Sequence, residues 1–167
     1  MRDHPGERVR LVRLLKEGAT SHDRTSTDGV AESSGAPPPC NERARSGGIS
    51  RLFDARYRSE QPAHPTRGFG GRKQVEHNWS ALFEGIPDFH AELLATATEG
   101  DTVWSEWHWT GTRANEATLD MRGVTLFEIK NGRIVSGRLY MEEVDQAGAD
   151  IDETVRRLAG GDQPDDE

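Results

Sequence analysis

The residues with the clearest chemistry are three tryptophans that fall within six positions of each other. Trp104, Trp107 and Trp109 lie in the run 101–111, whose polarity alternates as in a β-strand. Alternate residues of a strand face opposite sides, so Trp107 and Trp109 share one face and Trp104 lies on the other. Two inward indoles, burying roughly 150 to 250 Å² each, would stack on a flat apolar ligand. The alternative is that they only fill the core.

Few side chains could support acid–base or metal chemistry. His64, between Pro62 and Pro65, is the candidate for ligand contact or proton transfer, and the alternative is a solvated loop histidine. The sequence has no H-x-H, HExxH or Cys/His cluster, and Glu106-x-His108 offers only two ligands on one strand. We therefore expect neither a metal nor a cofactor.

Composition narrows the classes of partner. The chain has 167 residues, enough for one ordinary domain, and 33% of them are hydrophobic. Residues 52–144 carry a net charge of −4, which argues against nucleic acid as a partner. No apolar run is long enough for a signal peptide or a membrane span. Because the single cysteine, Cys40, cannot form an internal disulfide, we expect a soluble, cytoplasmic protein.

The N-terminal third divides into two segments. Residues 1–17 include an amphipathic pattern from Glu7 to Glu17 that predicts a helix ending at Gly18. Residues 18–48 are rich in Ser, Thr, Gly and Pro, which predicts disorder. The alternative is an atypical insert, for example one translated in a shifted frame.

A folded domain is predicted over residues 49–145. A strand ends before Pro62, and a helix spans Arg72 to Gly85, with apolar residues at spacings of three and four. Four strands follow, the last two joined at Asn131-Gly132, a strong hairpin signal. The strands are 90–98, 102–112, 118–130 and 133–144. A helix with a capping box at Asp150 is expected within 146–160, followed by an acidic tail, 161–167.

The order of these elements resembles a known family. The residues that carry the likeness are Leu52-Phe53-Asp54-Ala55, Gly71-Arg72, Phe83 through Pro87-Asp88-Phe89, Trp107 through Thr112, Arg122-Gly123-Val124 through Phe127, and Asn131-Gly132-Arg133-Ile134. Over Ile49 to Val144 the chain resembles the SnoaL-like and ketosteroid isomerase-like branch of the nuclear transport factor 2-like superfamily. The resemblance implies an α+β fold, a cystatin-like roll in which a cone-shaped, curved antiparallel sheet wraps around a long helix.

The resemblance and the strand alternation together predict a pocket and an interface. The pocket residues are Tyr57, Ser59, Gln61, His64, Trp79, Phe83, Trp107, Trp109, Met121, Thr125, Phe127, Leu139 and Met141. The opposite face of the sheet resembles the dimer interface of the family. Its predicted residues are Trp104, Glu106, His108, Val124, Leu126, Arg138 and Tyr140.

The resemblance does not decide whether the protein is an enzyme. Ketosteroid isomerase-like catalysis needs a carboxylate base just before the proline that ends the first strand, here Pro62, and a neutral acid inside the cone. These two positions hold Gln61 and Thr125. Cyclases of the SnoaL type use another inward acid near a histidine, for which Glu60, His64, His90 and His108 are the candidates. We expect a homodimer that binds an apolar, polycyclic or aromatic small molecule, with cyclase-like or isomerase-like activity open. The alternative is a non-catalytic dimerisation or ligand-sensing module.

Overall fold

The computed structural model describes residues 5–20 and 40–160, so the predicted acidic tail and most of the predicted insert lie outside the described residues. The described helices are α1 (Pro5–Ala19), α2 (Cys40–Ser50), α3 (Arg72–Gly85) and α4 (Ile151–Leu158). The strands are β1 (Phe53–Glu60), β2 (Phe69–Gly70), β3 (His90–Glu99), β4 (Thr102–Thr112), β5 (Thr118–Lys130) and β6 (Arg133–Glu143). Among these residues, no helix is long and apolar enough to cross a membrane.

The six strands form one curved, unclosed sheet in the order β2-β1-β6-β5-β4-β3. Strands β3 to β6 form the predicted antiparallel meander. Strand β1 runs parallel to β6, so the sheet is mixed rather than antiparallel throughout. The α+β cone fold expected from the resemblance is confirmed.

Helix α3 has the bounds that its apolar periodicity predicts. Val75 and Phe83 are buried on its inner side. The chain leaves α3 through a turn in which Asp88 accepts hydrogen bonds from Thr112 N at 2.7 Å and Thr112 Oγ1 at 2.8 Å. These bonds tie the end of the helix to the end of β4, three residues beyond Trp109.

Helix α1 covers the part of the cone formed by β3 and β4. It buries Val12, Leu15 and Ala19. An arginine of α1 is also buried: Arg8 is 7% exposed, and its Nη2 lies 2.7 Å from Oδ1 of Asp101 in the β3–β4 turn. This ion pair and the apolar contacts hold α1 against the sheet.

Helix α2 contradicts the predicted disorder at the end of the insert. Cys40–Ser50 has little apolar periodicity, so its stability depends on tertiary packing rather than on its own pattern. Ile49 is 1% exposed, and a Cβ atom added at Gly18 would lie 2.7 Å from Ile49 Cγ1, so α1 and α2 approach closely. Ser80 Oγ on α3 also donates to Ser46 Oγ at 2.9 Å.

Helix α4 lies within the residues predicted for a C-terminal helix, and the Asp150 side chain accepts a hydrogen bond from Glu153 N at 2.9 Å. Its apolar stripe is not packed into the core. Ile151 is 72% exposed, Val155 is 53% exposed and Leu158 is 83% exposed.

Gly123 provides a test of how β5 and β6 pack. It lies opposite Trp107 on β4 and Met141 on β6, with φ +155°. A Cβ atom there would lie 1.9 Å from the carbonyl oxygen of Tyr140. Gly123→Ala should therefore lower the free energy of unfolding by about 3 kcal/mol or more, measured by urea denaturation.

Gly85→Ala is the matched control, because a Cβ atom at Gly85 meets nothing within 4 Å. In this helical position the change should stay within about 1 kcal/mol and should favour folding. Equal effects of the two substitutions would show that β5 and β6 are not paired as described.

Candidate ligand cavity

A cavity of about 250 Å³ lies inside the cone, between α1, α3 and the concave face of the sheet. Its walls are mainly apolar and aromatic. The lining residues are Leu15, Ala19, Phe53, Tyr57, Ser59, Gln61, Phe69, Val75, Asn78, Trp79, Leu82, Ala91, Trp107, Trp109, Thr125, Phe127 and Leu139. Asn78 is the exposed member of this set and marks the rim.

The structure brings nine of the predicted pocket residues to this cavity: Tyr57, Ser59, Gln61, Trp79, Trp107, Trp109, Thr125, Phe127 and Leu139. Three other predicted residues are inward but do not reach it. Phe83 is fully buried beside Trp79, with ring centroids 5.5 Å apart. Met141 belongs to the core, and Met121 packs against that core.

His64 is not at the cavity. Its Nε2 lies 2.8 Å from Glu142 Oε1. Glu142 follows the buried Met141 on β6, so it belongs to the opposite face of the sheet. The loop after Pro62 includes a short 3₁₀ helix, Pro65–Arg67, which no sequence pattern indicated, and it leaves His64 beside that carboxylate rather than inside the cone.

Sequence reasoning missed eight lining residues: Leu15, Ala19, Phe53, Phe69, Val75, Asn78, Leu82 and Ala91. Val75 and Leu82 carried a signal, since both belong to the apolar side of α3. Leu15 had one too, in the amphipathic pattern of α1. Phe69 lay in a glycine-rich loop, where nothing indicated that its short strand β2 would pair with β1.

Two aromatic clusters extend through the site. In the first, Trp79 and Trp109 have ring centroids 5.9 Å apart, and Phe89 lies 5.6 Å from Trp109. In the second, Phe53 and Tyr57 lie 4.8 Å apart, with Phe69 at 6.0 Å from Tyr57. Offset and edge-on contacts of this kind hold the rings in place. The cavity walls are therefore preformed.

One buried polar group in the wall is fully satisfied. Thr125 Oγ1 accepts a hydrogen bond from Trp107 Nε1 at 3.0 Å and lies 2.7 Å from Ser105 Oγ. Ser105 Oγ can donate to the carbonyl oxygen of Thr125 at 3.2 Å, so Thr125 can donate to Ser105. Every proton in this network has an acceptor. In this arrangement the Thr125 proton is donated to Ser105.

Tyr57 and Ser59 bring two more hydroxyl groups into the cavity wall. Burial raises the pKa of Tyr57 to about 12, so the phenol is neutral at physiological pH. Gly137 leaves room for it, since a Cβ atom there would lie 2.5 Å from the Tyr57 oxygen. Ser59 lies close enough to offset part of the pKa rise, but no hydrogen bond of normal geometry forms, and the buried Ser59 Oγ has no partner.

No side chain that is ionised at neutral pH lines the cavity, among the residues that the structure describes. Glu60, a candidate acid, is exposed and borders a groove on the opposite face of the sheet together with Arg138. His108 also lies on that face, where its Nε2 is 2.9 Å from Asp120 Oδ1. Within the described ranges, no three His, Cys, Asp or Glu residues come together to hold a metal ion.

The opposite face of the sheet, here called the outer face, carries the seven residues predicted for an interface. Trp104 pairs with Leu126, which pairs with Arg138, and Glu106, Val124 and Tyr140 form the next row. Trp104 is 43% exposed and Tyr140 is 42% exposed.

Comparison with known proteins identifies the family. The model of the SnoaL-like domain matches residues 41–137, more than half of the chain. The chain belongs to the SnoaL-like domain family. The match begins within α2, so that helix is part of the family domain. Among curated proteins, the sequence finds no match.

Solved structures of this fold are similar to the chain at low sequence identity. A candidate SnoaL-like polyketide cyclase from Jannaschia sp. CCS1 has a TM-score of 0.59 and 21% identity, covering 85% of this chain and 91% of that one. An LEH-like epoxide hydrolase from M. tuberculosis has a TM-score of 0.59 and 12% identity, with coverages of 82% and 84%.

A third similar structure is a protein with a ketosteroid isomerase-like fold from Catenulispora acidiphila DSM 44928, in complex with trimethylamine. It has a TM-score of 0.56 and 16% identity, with coverages of 77% and 82%. At these identities, the likenesses show a shared fold.

The burial of Tyr57 can be tested by titration. The difference in ultraviolet absorbance between the wild type and Tyr57→Phe should show a tyrosinate forming near pH 12 rather than near the ordinary value of 10. Because the pKa of Tyr57 is raised in the folded state, the contribution of its neutral phenol to the free energy of unfolding is fully present below pH 10. About 2 to 3 kcal/mol of that free energy should be lost as the pH rises from 10 through 12. A transition near pH 10 in the folded protein would contradict the buried position.

Proposed function

We propose that the cone binds a small, uncharged, largely apolar molecule. The observation that carries the proposal is a preformed cavity with seven aromatic side chains in its wall and, within the described residues, no ionised one. The aromatic residues are Phe53, Tyr57, Phe69, Trp79, Trp107, Trp109 and Phe127. Concave, mostly apolar cavities with a few placed polar groups are the usual sites for small ligands.

The size of the cavity favours a ligand with one or two rings. Its volume, about 250 Å³, is below the range of roughly 300 to 1,000 Å³ that is typical of sites for drug-sized ligands. It equals about eight water volumes. A bicyclic compound with about ten non-hydrogen atoms fits this space better than the three-ring or larger ligands that a polycyclic reading of the sequence suggested.

The lack of an ionised side chain among the described residues of the cavity wall favours a neutral ligand. Burying an ionised group without a partner costs several kcal/mol, and no lining side chain would pair with a carboxylate or a phosphate. We therefore infer that the ligand enters uncharged.

Binding is favoured over general-base catalysis. Gln61 replaces the carboxylate base, Thr125 Oγ1 is hydrogen-bonded to Ser105 and Trp107, and the phenol of Tyr57 stays neutral. None of these groups accepts a proton at neutral pH. The likeness to the Jannaschia and M. tuberculosis proteins is at the level of fold, so it does not carry a reaction to this chain.

We further propose that the outer face joins two copies of this chain. Trp104 and Tyr140 are exposed beside Val124 and Leu126, which makes this face more apolar than a solvated sheet surface. A two-fold axis would allow exposed Glu106 of each copy to lie against a basic residue of the other. The pairing of opposite charges around an apolar centre suits a second copy.

The cavity proposal predicts binding of indane, a neutral bicyclic hydrocarbon. Indane should change tryptophan fluorescence saturably, whereas indane-1-carboxylate should bind at least about tenfold more weakly because its charge finds no partner. Trp109→Ala removes one wall and should weaken indane binding by about tenfold or more.

Trp104→Ala is the matched control, since it removes a tryptophan from the same strand but from the outer face, and it should leave indane affinity unchanged. Leu139→Trp, which fills the cavity, should abolish binding in a folded protein, as checked by circular dichroism. Wild-type affinity in both Trp109→Ala and Leu139→Trp would refute the proposed site.

The interface proposal predicts a dimer in sedimentation velocity. Trp104→Glu should shift the protein to monomer, because it buries an unpaired carboxylate at the centre of the contact. Leu94→Glu is the control, since Leu94 is also 43% exposed but lies on β3, beside a groove formed with α1. A monomeric wild type, or equal dissociation by the control, would count against the interface.

A further inference from the structure

The hydroxyl group of Tyr57 lies inside the cone without a hydrogen-bond partner among the described residues. Tyr57 is 3% exposed and lines the cavity. Its Oη is not one of the buried, unpartnered side-chain atoms that water cannot reach, which include Ser59 Oγ and Trp109 Nε1. An oxygen that has no partner and is not closed off borders open space. For this residue that space is the cavity.

The position of Gly137 shows where the phenol points. Gly137 on β6 pairs with Phe127 on β5 and with Ser59 on β1, and both partners line the cavity. A side chain at position 137 would therefore point into the cone. A Cβ atom added there would lie 2.5 Å from Tyr57 Oη and 3.1 Å from the Phe127 ring. The hydroxyl thus occupies the space inside the cone that a larger residue at position 137 would fill.

The other polar side chains of the described wall are paired, closed off or nearer the rim. Thr125 Oγ1 takes part in two hydrogen bonds within the wall. Ser59 Oγ is out of the reach of water. Gln61 is half-buried and Asn78 is exposed. Tyr57 is therefore the deep residue of this wall whose hydroxyl is available to a ligand.

A ligand that fills the cone excludes water from this hydroxyl. The ligand must then accept the phenol proton, or a buried donor is left unpaired, which is unfavourable. Burial raises the pKa of Tyr57 to about 12, so the phenol keeps its proton at physiological pH and can donate it. No cationic side chain lines the cavity within the described residues, which disfavours an anionic acceptor. This step rests on the proposed function, since it needs a ligand in the cone.

We propose that Tyr57 determines specificity by donating a hydrogen bond to an uncharged oxygen of the ligand, as in a ketone or an ester. The oxygen end of the ligand then lies deep in the cone, beside Gly137, and its apolar end faces the rim at Asn78. The aromatic walls supply contact that does not distinguish ligands of the same shape. A hydrocarbon of that shape fits the cavity but leaves the phenol unpaired.

The test compares 1-indanone with indane, which share a bicyclic skeleton and differ by one carbonyl group. Their affinities are measured by isothermal titration calorimetry for the wild type and for Tyr57→Phe, which deletes the hydroxyl and keeps the ring. The substitution should weaken 1-indanone about three- to tenfold relative to indane, because only the ketone loses a hydrogen bond. Indane affinity should not fall, since a hydrocarbon accepts no proton.

The carbonyl band of bound 1-indanone reports the hydrogen bond directly. In the infrared spectrum of the wild-type complex, with ¹³C at the carbonyl carbon, this band should lie at lower frequency than in the Tyr57→Phe complex. It should also lie at lower frequency than the band of 1-indanone in an alkane solvent. That second comparison needs the wild type alone, so it holds even if the variant fails to fold.

Two further variants are controls. Tyr140→Phe removes the hydroxyl of the other tyrosine of the chain, which lies on the outer face and is 42% exposed, and it should change neither affinity. Leu82→Ala shortens the apolar wall on α3 and should weaken both compounds alike.

Three results would overturn the role of Tyr57 while leaving the cavity as a binding site: equal effects of Tyr57→Phe on both compounds, a wild-type carbonyl band at its alkane position, or binding of indane without 1-indanone. Failure of both compounds to bind the wild type would overturn the proposed function, and the role of Tyr57 with it.

Discussion

The pairing register of β4 with β5 determines what the rest of this molecule can do. Trp107 lies opposite Gly123, and Ser105 lies opposite Thr125, so inward residues of both strands meet on the concave side. A slip of one residue would exchange every inward and outward side chain. It would place Trp104 inside the cone and expose Trp107 and Trp109. The Ser105–Thr125–Trp107 hydrogen bonds form only in the observed register, and this couples the polar network to the shape of the cavity.

The described wall of the resulting cavity lacks a side chain suited to proton transfer. The curved sheet and α3 enclose a space in which aromatic faces dominate and the buried phenol of Tyr57 keeps its proton. Proton transfer needs a group whose pKa lies near the working pH. The described wall has no such group, whereas hydrogen-bond donors remain available. Recognition of a neutral molecule therefore fits the cone better than catalysis by a carboxylate.

Much of the fold could be predicted because local pattern and tertiary structure agree. The apolar spacing of α3, the alternation in β3 to β6 and the turn at Asn131-Gly132, where both residues have positive φ, all follow from short-range rules. Helix α2 could not be predicted from composition. Its one large apolar residue with described burial, Ile49, is stabilised by contact with α1, a segment distant in sequence. This helix is stabilised by tertiary packing rather than by the helix propensity of its residues.

The candidate site was predictable to the extent that strand alternation is. Tyr57, Ser59, Trp107, Trp109, Thr125 and Phe127 follow from period-two facing on three strands. His64 did not follow, because the conformation of its loop and its contact with Glu142 have no periodic signal. The unsatisfied nitrogen of Trp109 was also invisible, because two indoles on the same face of one strand differ only in whether an acceptor lies nearby.

The central claim is that the cone is a preformed binding site for a small neutral molecule. A crystal structure of the protein soaked with indane tests it most directly. Ligand density is expected between Trp79, Trp107 and Trp109, with the aromatic walls unmoved. A cavity closed by rearranged side chains, or indane bound only elsewhere on the protein, would contradict it.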